Sequence, residues 1–225
     1  MATFHSAAQQ TINSDILSAD QVKQIFTPEL LKKSGISFPI RRVYHFTDRS
    51  GQYYYVLTES TEINAANDTT NQTLQATAFK IANNIPVRQW SFIDTTSCTK
   101  IIEGREPSIW FWTKYCKFMD MDGDAQIDPI LIYGTEGSNA TNDGRIIFVI
   151  CYKGTRIHIY HQNGTLDFQR NTHVDQTFYN LPTSMQEQIK DIMTTMVNDG
   201  NAIFPYGWQK AMAAKKLYFD ELHKN

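Results

Sequence analysis

Four aspartates crowd into the nonapeptide Asp120-Met121-Asp122-Gly123-Asp124-Ala125-Gln126-Ile127-Asp128. Asp120, Asp122 and Asp124 stand at its first, third and fifth places, Gln126 offers a backbone carbonyl at the seventh, and Asp128 closes at the ninth. Calcium takes roughly six to eight hard oxygen ligands in loose geometry, and a tight loop presents them from alternate residues. Carboxylates this close repel one another unless a cation or open water offsets their charge. Gly123 permits a sharp bend because it has no Cβ to clash at positive φ, Pro129 fixes the exit, and Ile127 is placed to tuck the loop onto the core. The spacing predicts a calcium site with the ligands Asp120, Asp122, Asp124, Gln126 and Asp128. The competing reading is a solvated acidic turn. Magnesium fits less well, because it demands a stricter octahedron and keeps its waters. The loop lacks the closing bidentate Glu and the flanking helices of an EF-hand, so it reads as a clamp on a β-turn.

The other reactive side chains form no recognisable set. The chain has no G-x-S-x-G elbow, phosphate-binding loop, G-x-G-x-x-G or H-E-x-x-H. His158 and His161 are three apart, which on a strand puts them on opposite faces and argues against a shared zinc. His173 and Asp175 share a face of an extended stretch and make the best acid–base pair by proximity. Glu59 and Glu62 are a candidate carboxylate pair for glycoside cleavage, although sequence spacing does not fix their separation in space. Cys98 lies in a polar segment with no nucleophile motif around it.

The elements that must position these groups follow from periodicity and punctuation. Residues 1–12 are unpatterned and polar, an expected loose arm. Ser18 with Gln21 makes a capping box, and Thr27-Pro28 starts a second short helix that Gly35 ends. Residues 13–35 are therefore expected to be helical. Residues 38–180 alternate as strands, with an expected hairpin about Asp48-Arg49-Ser50-Gly51, strands at Leu74–Ile81 and Val87–Ile93, and turns at Lys153-Gly154 and Asn163-Gly164. Ile109–Phe118 reads as one strand with Trp110, Trp112, Cys116 and Phe118 on a single face. Residues 183–222 are expected to be helical, with Thr183 capping a helix whose Met185, Ile189, Ile192, Met193, Met196 and Val197 form one apolar stripe, and a second helix from Trp208 to Leu222. The fold class is α+β: a meandering antiparallel sheet with short N-terminal helices and two C-terminal helices packed on it, in one domain over 1–225.

Composition narrows the partners. At 225 residues the chain can bury a core without disulfides or metal. Its net charge of −2, with both signs interspersed, supplies no basic stripe for nucleic acid. No apolar run approaches the roughly 18–20 residues that span a bilayer. The opening Met-Ala-Thr-Phe-His-Ser has neither the basic nor the apolar stretch of a signal peptide, which leaves a cytosolic protein or a mature exported domain. Three cysteines (Cys98, Cys116, Cys151) allow one bridge or three free thiols. The sequons at Asn67, Asn71, Asn139 and Asn163 matter only in a eukaryotic secretory setting.

The nonapeptide resembles the calcium loop of FG-GAP repeats, D-x-D-G-D-G-x-x-D, with Ala125 in place of the second glycine and only one copy in the chain. A longer succession is similar to exported bacterial proteins, some labelled surface-polysaccharide-biosynthesis proteins. It comprises Tyr55-Val56-Leu57-Thr58-Glu59, Phe111-Trp112-Thr113-Lys114-Tyr115, the aspartate loop, Ile132-Tyr133-Gly134-Thr135, His161-Gln162-Asn163-Gly164 and Phe204-Pro205-Tyr206-Gly207-Trp208-Gln209. The resemblance implies a bacterial envelope protein, periplasmic in its mature form, where free calcium is plentiful.

The expectation is a non-enzymatic calcium-binding protein that acts through a protein partner, an immunity or inhibitor protein against a secreted toxin or hydrolase effector. One alternative is an accessory protein of polysaccharide assembly that binds glycan on Trp110 or Trp112. The other is a carbohydrate- or cell-wall-active hydrolase using Glu59, His173 or Asp175.

Overall fold

In the computed structural model, which describes residues 14–63, 69–96, 106–137 and 139–222, the chain enters through a two-residue strand, β1 (Asp15–Ile16), and two short helices, α1 (Ala19–Ile25) and α2 (Pro28–Ser34). The helix ends follow the sequence signals. Gln21 N–H donates to Ser18 Oγ while Ser18 N–H donates to the Gln21 side chain, and Leu30 N–H donates to Thr27 Oγ1. Gly35 stops α2 at φ 68°, a conformation that costs glycine little. The expected arm at 1–12 lies outside the described residues.

The next segment builds the first sheet: β2 (Ile40–Asp48), β3 (Gly51–Glu59), a small ladder of β4 (Glu62–Ile63) with β5 (Thr69–Thr70), then β6 (Thr73–Ala82) and β7 (Ile85–Thr95). The order is β1-β2-β3-β6-β7, with every pair antiparallel. The β2–β3 turn falls at the expected Asp48–Gly51, where Asp48 Oδ1 accepts the N–H groups of Ser50 and Gly51. The β6–β7 turn uses Asn83 and Asn84 at φ 51° and 63°; two positive φ values in succession match the right-handed twist of the strands.

The second sheet contains β8 (Ile109–Phe111), β9 (Lys117–Met119), β10 (Asp128–Thr135), β11 (Arg145–Tyr152), β12 (Thr155–Gln162) and β13 (Asn171–Val174). After helices α3 (Thr183–Asn198) and α4 (Trp208–Ala213), β14 (Tyr218–Asp220) completes it in the order β14-β13-β12-β11-β10-β8, with β9 also on β10. The fold is thus α+β, and its antiparallel meander divides into two stacked sheets. Rings join them: Phe118 stacks on Tyr44 at 4.0 Å, and Phe92 on Tyr133 at 5.8 Å. Every residue of β10 is buried. A strand covered on both faces needs two partners; the first sheet supplies one, and the α3 stripe of Met185, Ile189, Ile192, Met193 and Met196, all in the same core cluster, supplies the other. Each such side chain contributes about 1.5–3 kcal/mol on burial. A smaller cluster of Phe26, Ile36, Val43, Val56 and Phe79 seats α1 and α2 on the first sheet's outer face.

Six expectations about elements are corrected. Residues 13–35 are not helical throughout, since Asp15–Ile16 pairs as a strand with His45 and Tyr44. Val197 falls off the apolar stripe of α3 and is exposed. Ile109–Phe118 is two strands, because the chain turns at Thr113–Tyr115 and both pieces pair with the same strand. Trp110 and Phe118 consequently face opposite sides: Trp110 pairs with Gly134 and Phe118 with Pro129, positions of opposite parity on β10. The helix from Trp208 stops at Ala213 rather than Leu222. Lys215 at φ 56° reverses the chain, and Tyr218–Asp220 pairs with β13, which buries Phe219. Thr183 begins α3 without capping it; the cap position is Pro182. Asn163-Gly164 opens a loop that reaches Asn171 instead of making a two-residue turn, since Asn163 is drawn inward by hydrogen bonds.

Candidate functional site

The aspartate loop joins β9 to β10, and its backbone curls around its own carboxylates. Asp120 Oδ1 accepts from Gly123 N–H (2.7 Å) and Oδ2 from Ala125 N–H (2.9 Å). Asp122 Oδ1 accepts from Asp124 N–H, and Asp124 Oδ1 from Gln126 N–H. Gly123 bends at φ 81° and Ala125 at φ 63°. Ala125 thus adopts the left-handed conformation that the second glycine of the D-x-D-G-D-G pattern would supply.

The outcome is convergence. One carboxylate oxygen from each of Asp120, Asp122 and Asp124 lies within 4.8 Å of the others, in a half-buried triad that could hold a metal ion. Each oxygen that accepts an N–H keeps a further lone pair, so the internal hydrogen bonds leave ligating capacity. Asp128 stands beside this triad, on the first position of β10, buried and accepting from Met121 N–H at 3.0 Å. Burial, reinforced by the charges of Asp122, Asp124 and Asp120, pushes its carboxyl up to about 7. The Gln126 side chain donates to Asp124 Oδ2 at 3.0 Å. Ile127 is buried, as the sequence led us to expect.

Four residues whose part in the site the sequence did not announce complete the surroundings. Asp48, from the β2–β3 turn, accepts Ile127 N–H on Oδ2 at 3.0 Å, and next to it Arg49 N–H donates to Ala125 O at 3.0 Å. The first sheet is thereby tied to the loop. From the β11–β12 turn, Tyr152 Oη donates to Asp122 Oδ2 at 2.9 Å, and Lys153 Nζ lies 3.8 Å from Asp122 and 3.5 Å from Asp124. Lys153 is held there by a turn with φ 46° and 78° at Lys153 and Gly154. The only sequence signals for these groups are two turn motifs, and neither says where the turn docks.

Beside the loop, the two sheets part to leave a cavity of about 420 Å³, lined among others by Tyr53, Trp90, Asp124, Asp128, Lys153 and Arg156.

The remaining candidates are dispersed. Asp175 accepts from His158 N–H at 2.7 Å and lies 3.2 Å from His158 Nδ1, so it serves His158 and not the exposed His173. His161 is buried; Nε2 meets Asn163 Oδ1 at 2.8 Å and Nδ1 meets Thr172 Oγ1 at 2.9 Å, and burial holds its pKa down at about 4. Glu59 accepts from Phe111 N–H (2.8 Å) and pairs with Arg41 at 3.2 Å, its pKa raised by burial, while Glu62 is exposed on β4. Trp112 is buried against Gly134, where a Cβ would come within 2.8 Å of its ring, and Trp110 is half-buried 6.1 Å away. Burial raises the thiols of Cys116 and Cys151 to about 12, and both are free; Cys98 lies outside the described residues. No helix is long and apolar enough to cross a membrane among the described residues.

No protein-family profile, no curated protein and no solved structure matches the chain.

Proposed function

We propose that this is a non-enzymatic calcium-binding protein of the bacterial envelope that acts by protein–protein binding, as an immunity or inhibitor protein against a secreted toxin or hydrolase effector. The observation that carries the metal reading is the convergence of Asp120, Asp122 and Asp124 within 4.8 Å on a loop whose Ala125 takes a glycine-like φ of 63°. In this reading Asp128 and the Gln126 carbonyl complete the ligand set. The ion supplies no chemistry; it offsets the repulsion of the carboxylates and stiffens the junction where the loop, the β2–β3 turn and the β11–β12 turn meet. A periplasmic setting, with its plentiful calcium, suits such a loop.

A binding role is supported by how the acid–base groups are used. Asp175 serves His158, Glu59 serves Arg41 and Phe111, and His161 serves Asn163 and Thr172. These are scaffold bonds, and a rigid scaffold with fixed turns is what presents a contact surface.

The test is affinity capture with the tagged chain in its own cells, in calcium and in chelator. A stoichiometric protein partner, whose toxic or hydrolytic activity the chain abolishes at equimolar ratio, is expected. Recovery of no such partner, or turnover of a cell-wall substrate by the chain itself, overturns the reading.

A further inference from the structure

The cavity between the sheets has walls of two kinds. One is a carboxylate wall made of Asp124 and Asp128 from the aspartate loop, with Asp48 beside them, its carboxylate already holding the N–H groups of Ile127, Ser50 and Gly51. Across it, the β11–β12 hairpin brings Lys153 and Arg156. The Arg156 guanidinium lies 5.7 Å over the Trp90 ring, and among the described residues it has no carboxylate partner. A guanidinium stacked on an indole keeps its planar fork of N–H donors free, which is the arrangement that grips a carboxylate through two hydrogen bonds. Lys153 is differently committed: its ammonium neutralises the same two aspartates, Asp122 and Asp124, that a metal would take.

We propose that this cavity binds a carboxylated sugar, the uronic-acid unit of an acidic glycan, and that metal at the aspartate triad switches the site on. This goes beyond protein binding and rests on the preceding reading only for the metal. Without metal, an incoming carboxylate meets Asp124 and Asp128 across the cavity, and Lys153 is occupied. A divalent cation offsets two of the negative charges on that wall and displaces the Lys153 ammonium, because two cations compete for the same oxygens. Lys153 and Arg156 then face the ligand together. The rest of the lining suits a pyranose. Tyr53 and Trp90 offer apolar ring carbon to C–H groups, while Gln89 and Thr155 are placed to hydrogen-bond hydroxyls. A volume of 420 Å³ exceeds what a bare carboxylate needs and admits a sugar ring with its first shell of water.

The test is calorimetric titration of the full chain with glucuronate, glucose and acetate, in calcium and in EDTA, beside a separate titration with calcium alone. Saturable glucuronate binding in calcium is expected, at least tenfold weaker in EDTA and in Arg156→Gln, with glucose and acetate both at least tenfold weaker than glucuronate. Lys153→Gln should bind calcium several-fold more tightly, since the competing ammonium is gone, yet bind glucuronate more weakly. Calcium binding without glucuronate binding overturns this proposal and leaves the metal reading intact. No calcium binding overturns both. Glucuronate binding that is indifferent to EDTA overturns the switch, and glucose or acetate binding as tightly as glucuronate overturns the ligand class. Arg156 is exposed and its replacement leaves the core untouched, so loss of binding in that variant is not loss of fold.

Discussion

Ile127 donates its backbone N–H to Asp48 Oδ2 at 3.0 Å, which makes one carboxylate of the first sheet a structural part of a loop in the second. The other oxygen of Asp48 holds the N–H groups of Ser50 and Gly51. Asp48→Ala strips the acceptor from these three N–H groups and from the Ser50 hydroxyl, and leaving partly buried donors unpaired costs about 1–3 kcal/mol. Urea denaturation should show that loss with little change in slope.

Calcium should raise the melting temperature. At about a hundredfold excess over Kd, binding to the folded state alone adds about 2.7 kcal/mol, which for a chain of this size is a rise of roughly 5–10 °C. Asp122→Asn keeps the side-chain shape and one of the two acceptor oxygens that serve Asp124 N–H and Tyr152 Oη, and it removes one ligand charge, so the calcium-dependent rise should vanish. Equal melts of the parent chain in calcium and in EDTA would mean that the loop is a solvated turn.

Ala125→Gly should stabilise the protein. Alanine at φ 63° carries a left-handed strain of roughly 1–2 kcal/mol, against about 0.4–1 kcal/mol that glycine loses through its freer unfolded chain. The net gain is up to about 1.6 kcal/mol, measurable by chemical denaturation, and calcium affinity should rise with it.

His161 ties acid stability to its buried network. Its folded pKa of about 4 lies below its ordinary 6.5, so the unfolded chain binds the proton first. Its contribution is complete above pH 6.5, falls as the pH drops from 6.5 to 4, and by pH 4 has cost about 3 kcal/mol. His161→Gln should lower stability at pH 7 and flatten this part of the curve. The difference between the two denaturation profiles, taken pH by pH, isolates the effect.

The loop was legible in the sequence because its ligand spacing is local: Asp120, Asp122 and Asp124 converge through bonds that span five residues or fewer. The capping box at Ser18, the Asp48–Gly51 turn and the α3 stripe were legible for the same reason. What was not legible depends on contacts distant in sequence. Nothing near Lys153 announces that its turn will face Asp122 and Asp124, and nothing near Asp48 announces Ile127. Periodicity also misled where tertiary pairing overrode it. Lys215 to Asp220 can continue a helix, but β13 offers a ladder and a buried seat for Phe219. Ile109–Phe118 alternates like one strand, yet the turn at Thr113–Tyr115 lets Trp112 lie against Gly134.

The tie between Asp48 and Ile127 also has a temporal meaning. Its two ends are 79 residues apart, whereas the β2–β3, β6–β7 and β11–β12 hairpins close over two-residue turns. Hairpins meet a small closure entropy and form early; a seam that joins two finished sheets forms late on the way to the native state. Interactions absent from the transition state act on unfolding and leave the folding rate nearly unchanged. An ion that tightens this seam should therefore lengthen the lifetime of the folded molecule. Stopped-flow measurements should find the calcium dependence almost wholly in the unfolding limb.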